Sequence, residues 1–161
     1  MVKRIASVVI PLLVVCGVAF NAAGQTAEPW LGTWQVNLAK SIYSPGPKPT
    51  MPATVKMEAA EGGLKTTIDA ANQQGQPTHT EMMGKFDGTD SPVKGAPAPN
   101  STQALKRIDA RSFETVGKVD GKVTVTTRVT VSSDGKTLTA TQTGKSPQGE
   151  TINNVIVAEK Q

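Results

Sequence analysis

Turn signals recur along this chain at nearly even intervals, and that rhythm limits what the chain can fold into. Glu61-Gly62-Gly63, Gln74-Gly75 and Asp87-Gly88 form one series. Asp109-Ala110-Arg111, Asp120-Gly121, Asp134-Gly135 and Gln148-Gly149 form a second, and within each series successive signals lie eleven to fourteen residues apart. Asp-Gly is a hairpin signal because both central residues of a type I′ turn need positive φ. Each interval has room for one short strand, and none carries a helical period.

The segments between the turns alternate as strands do. In Lys122 to Val131, Val123, Val125, Thr127, Val129 and Val131 share one face, and Thr124, Thr126, Arg128 and Thr130 share the other. Val55, Met57 and Ala59 alternate with Thr54, Lys56 and Glu58. Leu64, Thr66, Ile68 and Ala70 alternate with Lys65, Thr67 and Asp69, and Trp34, Val36 and Leu38 with Thr33, Gln35 and Asn37. Segments around His79, Leu105, Phe113, Leu138 and Ile156 alternate less cleanly. Valine and threonine dominate, as suits a pleated, half-buried surface.

Two proline-dense stretches, Ser44 to Pro52 and Ser91 to Asn100, interrupt the pattern and are expected to be loops or edge coverings, since proline cannot sit in a central strand. The prediction is an all-β domain, an antiparallel up-and-down meander of nine or ten strands. A sheet that long curls, and closing it into a barrel removes its edges. A β-sandwich is the competing solution.

The first residues belong to another signal. Lys3 and Arg4 precede an apolar run from Ile5 to Phe20, and Ala22 and Gly24 suit the minus-three and minus-one positions of a signal-peptidase site. Residues 1–24 are therefore expected to be a signal peptide cleaved after Gly24, and 25–161 a single periplasmic or secreted domain. The run is short for a membrane span and contains Pro11, so no stable span is expected after cleavage. Cys16 follows Leu13-Val14-Val15, where a lipid-attachment site wants a small residue. Losing Lys3 and Arg4 takes the basic residues from 17 to 15 against 13 acidic ones, and the net charge from +4 to +2. No basic stripe or stacking platform is left to suggest nucleic acid.

Gly32-Thr33-Trp34 at the head of the first strand, with a meander behind it, resembles the Gly-x-Trp signature of the calycins, the lipocalins and fatty-acid-binding proteins. The run from Leu31 to Ser41, with Tyr43-Ser44-Pro45-Gly46-Pro47, Lys85-Phe86-Asp87-Gly88, Ser91-Pro92-Val93 and Leu105-Lys106-Arg107-Ile108-Asp109, resembles a group of uncharacterised exported bacterial proteins. The resemblance implies a calycin-like barrel in which Trp34 plugs one end. Fatty-acid-binding proteins hold the ligand carboxylate with an Arg-x-Tyr pair on the last strand. Matching the chain ends through Glu159-Lys160 puts Ile156 and Ala158 at those positions, and neither binds a carboxylate.

Motifs for chemistry are sparse. Gly144-Lys145-Ser146 lacks the earlier glycine of a phosphate loop, with Thr139 in its place; Gly-x-Ser-x-Gly is absent, and the Asp-Gly turns do not space acids as a calcium loop does. With one histidine and one cysteine, no metal site, cofactor or catalytic residue is expected. His79 could be a haem ligand or base with Glu81 two residues on, but a strand histidine without a partner cluster is ordinarily solvated or hydrogen-bonded. Small inward residues such as Ala59, Ala70 and Ala140 leave a barrel of this size partly unfilled.

These features predict an exported barrel that binds a small apolar or amphipathic ligand. Met57, Ile68, His79, Glu81, Met83 and Arg107 are its candidate contacts: the methionines for an adaptable wall, Arg107 for an anion. The alternatives are a periplasmic interaction or inhibitor protein without a cavity, and a haem protein or enzyme using His79.

Overall fold

The computed structural model describes residues 28–72, 74–145 and 149–161. The expected signal peptide, with its cleavage site after Gly24, lies outside the described residues. Ten strands follow in chain order: β1 (Gly32–Val36), β2 (Thr54–Ala60), β3 (Gly63–Ala71), β4 (Pro77–Lys85), β5 (Ser91–Lys94), β6 (Ser101–Arg107), β7 (Ser112–Val119), β8 (Lys122–Val131), β9 (Thr137–Lys145) and β10 (Thr151–Lys160). Every neighbouring pair is antiparallel, and β1 bonds both β2 and β10, which closes the sheet into an up-and-down barrel. This is the calycin-like form, not the sandwich. No helix among the described residues is long and apolar enough to cross a membrane.

The turns follow their chemistry, with one instructive split. Asp120 and Gly121 both have positive φ, 49° and 74°, and Val119 pairs directly with Lys122, the two-residue I′ hairpin. Asp134-Gly135 does not repeat it. There the Asp134 carboxylate accepts from the Lys136 amide at 3.0 Å and from the Ser132 hydroxyl, so a longer loop forms in which only Gly135 has positive φ.

One expectation needs correcting. Ser91 to Asn100 is not wholly loop, because Ser91–Lys94 is β5, with Pro92 inside it. The strand tolerates proline because it is short and thinly paired. It meets β6 only at Ser91↔Gln103 and Pro92↔Thr102, and β4 only at Glu81↔Lys94 and Met82↔Val93.

The core sits at one end of the barrel, where the chain enters β1. Trp30, Trp34, Leu64, Leu105, Phe113, Val131 and Leu138 are buried there. Trp30 meets Phe113 edge-on at 5.1 Å and Phe86 at 5.7 Å, as aromatic quadrupoles prefer. The Trp34 indole N–H donates to the Trp30 carbonyl at 2.9 Å, which ties the entering chain to the first strand. Outside this plug Arg107 lies 4.9 Å from the Trp30 ring centre and 5.0 Å from that of Phe86, and its guanidinium grips the Glu28 carboxylate with both nitrogens. That guanidinium holds the Glu28 carboxyl below its ordinary pKa.

Trp34 is completely buried. Trp34→Ala is expected to lower the unfolding free energy by about 3–5 kcal/mol, measured by urea denaturation. A change under about 1 kcal/mol would show that the plug does not hold this end together.

Candidate functional site

Away from the aromatic plug the barrel is not filled. A cavity of about 570 Å³ runs from a floor of Trp34, Leu64, Leu105 and Phe113 to Pro97 and Ala98 in the β5–β6 loop. The reason is residue size. Where the plug presents tryptophan and phenylalanine, the middle wall presents Thr66, Thr115, Thr127, Ala140 and Gly117. Ten strands set a circumference that such short side chains cannot span.

The wall is mostly apolar, and its polar groups are almost all uncharged. The Lys118 ammonium is engaged by both Asp90 oxygens, at 2.8 and 2.9 Å, and Lys145 lies at the far rim, where β9 ends. Tyr43 enters the wall from the loop after β1, and burial holds its phenol above the ordinary pKa and therefore neutral. Gln103 also lines the cavity, and its Oε1 is buried without a hydrogen-bond partner. Ile156 and Ala158, the residues that matching the chain ends set against the Arg-x-Tyr pair, are part of this inner wall. Nothing at those positions can hold a carboxylate.

The candidate contacts divide into two groups. Met57 and Ile68 line the cavity, with Trp34 at its floor. His79, Glu81 and Met83 do not, because they sit on the outer face of β4, while Met82 points in. Met83 is 59% exposed. His79 Nδ1 lies 2.7 Å from Asp69, Glu81 accepts from Lys65 at 3.0 Å, and His79 borders an outer hollow of about 310 Å³ near Met51 and Pro77. Arg107 has the inward parity of Gln103 and Leu105 but lies beyond the floor, against the plug.

The physical cause of the β4 correction is one residue of register. A two-residue turn centred on Gln74-Gly75 would pair Ile68 with Glu81 and Thr66 with Met83, turning His79, Glu81 and Met83 inward. Instead Ala71 pairs with Pro77, and the Asn72 amide donates to the Gln76 carbonyl at 2.9 Å across a longer loop. The Asn72 carboxamide oxygen accepts from the Gln74 and Gln76 amides, which stabilises that loop. Ile68 therefore faces Thr80, and Thr66 faces Met82. Among the described residues no three His, Cys, Asp or Glu side chains are grouped to hold a metal.

Sequence reasoning missed Tyr43 and Gln103. Tyr43 lies in a proline-rich loop with no period to read. Gln103 sits on a strand whose Ser-Thr-Gln-Ala start breaks the apolar alternation, and a polar residue at an inner position is the signal that could have marked it.

No family model and no curated protein matches the chain. Among solved structures, it is similar to the zebrafish ileal bile acid-binding protein complexed with cholic acid, at a TM-score of 0.49 and 10% identity over 83% of this chain and 99% of that one.

The Asp69 hydrogen bond raises the His79 pKa above its ordinary value. A raised folded-state pKa contributes stability that is fully present below the unfolded value, near 6.5, and is lost as pH rises through the folded value. An NMR titration is expected to place the imidazole midpoint above 6.5 in the wild type and nearer 6.5 in Asp69→Asn. Wild-type Tm should fall slightly from pH 6 to pH 8, and His79→Gln should remove that part of the fall. An unshifted imidazole in the wild type would show that the pair does not form in solution.

Proposed function

We propose that this protein binds a small apolar or amphipathic molecule inside its barrel, and does so outside the cytoplasm after residues 1–24 are removed. The observation that carries the reading is the cavity. Its volume of about 570 Å³ falls among known ligand sites, its wall is mostly apolar, and it is closed at one end by the Trp30–Trp34 plug. An alkyl chain or fused-ring body would lie on Leu64, Met57, Ile156 and Val129, with its polar end toward Tyr43, Gln103 or the rim.

The alternatives have less support. An interaction protein needs no interior space of this kind. A haem in the cavity would find no axial ligand in His79, which points away from it on the outer wall. The export reading rests on the basic start, the apolar run and the small residues at Ala22 and Gly24.

Binding is tested with N-phenyl-1-naphthylamine, a neutral probe whose fluorescence rises in apolar surroundings. The wild type is expected to enhance and saturate it. Ala140→Trp, which puts an indole into the empty middle of the barrel, should abolish the enhancement while keeping the β-sheet circular dichroism. No enhancement by the wild type, or full enhancement by a folded Ala140→Trp, overturns the reading. Expression of the whole chain in a Gram-negative host should yield periplasmic protein whose mass begins at Gln25. Protein retained at full length would contradict export by cleavage.

A further inference from the structure

Gln103 occupies an unusual place in the cavity wall. It lies in a row that crosses the barrel as Ile152, Gly144, Val125, Gly117 and Gln103. Two of its four companions are glycines. At Gly144 the backbone requires this, since a Cβ there would come within 2.1 Å of the Thr124 carbonyl oxygen. At Gly117, the neighbour of Gln103, the wall has no side chain of its own and is flanked by Val125, whose Cγ1 would lie 3.0 Å from a Cβ added there.

The carboxamide is costly where it is. Its Oε1 is buried without a partner, and a buried unpaired acceptor destabilises a fold. Leucine or methionine would fill the same inner position without that cost. Oε1 lies buried in the wall, and a half-turn of the amide, which exchanges it with Nε2, brings it to the cavity. A hydroxyl, which both donates and accepts, can pair with whichever is presented. Water can do the same, and a ligand that displaces it by an apolar group forfeits that bond.

The surroundings say what charge the partner carries. At this depth no carboxylate lines the cavity, and its lysines are Lys118, already held by Asp90, and Lys145 at the rim. The β10 residues that line the cavity, Ile152, Ile156 and Ala158, include no cation. A ligand charge brought to Gln103 would be desolvated with nothing to compensate it.

We infer that the cavity selects an uncharged, hydroxyl-bearing apolar molecule, and that Gln103 is the residue that reads the hydroxyl. This rests on the ligand-binding reading above and deepens it.

The test compares 2-naphthol, its isostere 2-methylnaphthalene and the anion 2-naphthoate as displacers of N-phenyl-1-naphthylamine, on wild type and Gln103→Met. For the wild type, 2-naphthol should bind more tightly than either of the others. In Gln103→Met the ratio of naphthol to methylnaphthalene affinity should fall about tenfold. Without ligand, Gln103→Met should raise Tm, whereas a purely structural glutamine would lower it. A ratio unchanged by the substitution, or a naphthoate that binds as well as naphthol, overturns this inference while the ligand-binding reading stands. A wild type that does not bind N-phenyl-1-naphthylamine at all overturns both.

Discussion

The seam between β1 and β10 makes this sheet a barrel, and the cavity exists only because the seam holds. β1 offers it little: Trp34, Gln35 and Val36 pair with Lys160, Glu159 and Ala158. The chain then leaves the sheet and returns, so that Ile42 exchanges backbone hydrogen bonds with Val155 at 2.8 and 2.9 Å and the Asn153 amide donates to the Ser44 carbonyl at 2.7 Å. Buried Ser41 bridges the gap. Its hydroxyl accepts from the Val157 amide at 3.0 Å and donates to the Asn37 carbonyl at 2.7 Å, so the ladder has no orphan where the strand bulges away. Without this stitching β1 and β10 would be open edges, prone to pair with other chains.

Closure creates a volume that the side chains fill unevenly. Four of the chain's few aromatic residues, Trp30, Trp34, Phe86 and Phe113, are spent at one end. Lys160 at 5.1 Å from the Trp34 ring and Arg107 beside Trp30 cover the same end with cations set over aromatic rings. The remaining length of the barrel is walled largely by valine, threonine, alanine and glycine, with Met57, Ile68, Met82 and Ile156 among them. An empty interior loses dispersion contacts that a packed one would have, so the distribution favours space over stability.

The sequence carried the architecture because strand alternation and turn chemistry are local. Lys122 to Val131 reads as a strand with its valines on one face, and it is β8 with those bounds. Val125, Val129 and Val131 face inward, whereas Val123 is exposed, where the pairing with β7 slips between Gly117 and Lys118. Met57 and Ile68 were legible for the same reason, lying on clean alternations that fix their face. His79, Glu81 and Met83 were not, since their face depends on how many residues the β3–β4 loop takes up. An Asn72 side-chain bond network decides that number, and a one-residue difference inverts the whole of β4. Arg107 failed for a different reason. Its inward parity is correct, but height along the barrel comes from the pairing register across several strands, and a linear pattern does not contain it.

Charge on this molecule is an outside property. Lys56 pairs with Glu58, Lys65 with Glu81, His79 with Asp69 and Lys40 with Glu159, all on partly or largely exposed side chains where such pairs add little stability. The cavity receives almost none of it. A net charge of +2 on residues 25–161 therefore bears on solubility and non-specific contacts, and carries no information about what the barrel takes up. For the ligand binding proposed above, selectivity has to come from shape and from neutral hydrogen-bonding groups, which in a desolvated wall discriminate strongly because an unmet partner is expensive there. In this chain those groups are the amides of Gln103 on β6 and Gln142 on β9, a phenol from the loop after β1, and serine and threonine hydroxyls, so uncharged residues of the wall define its chemistry.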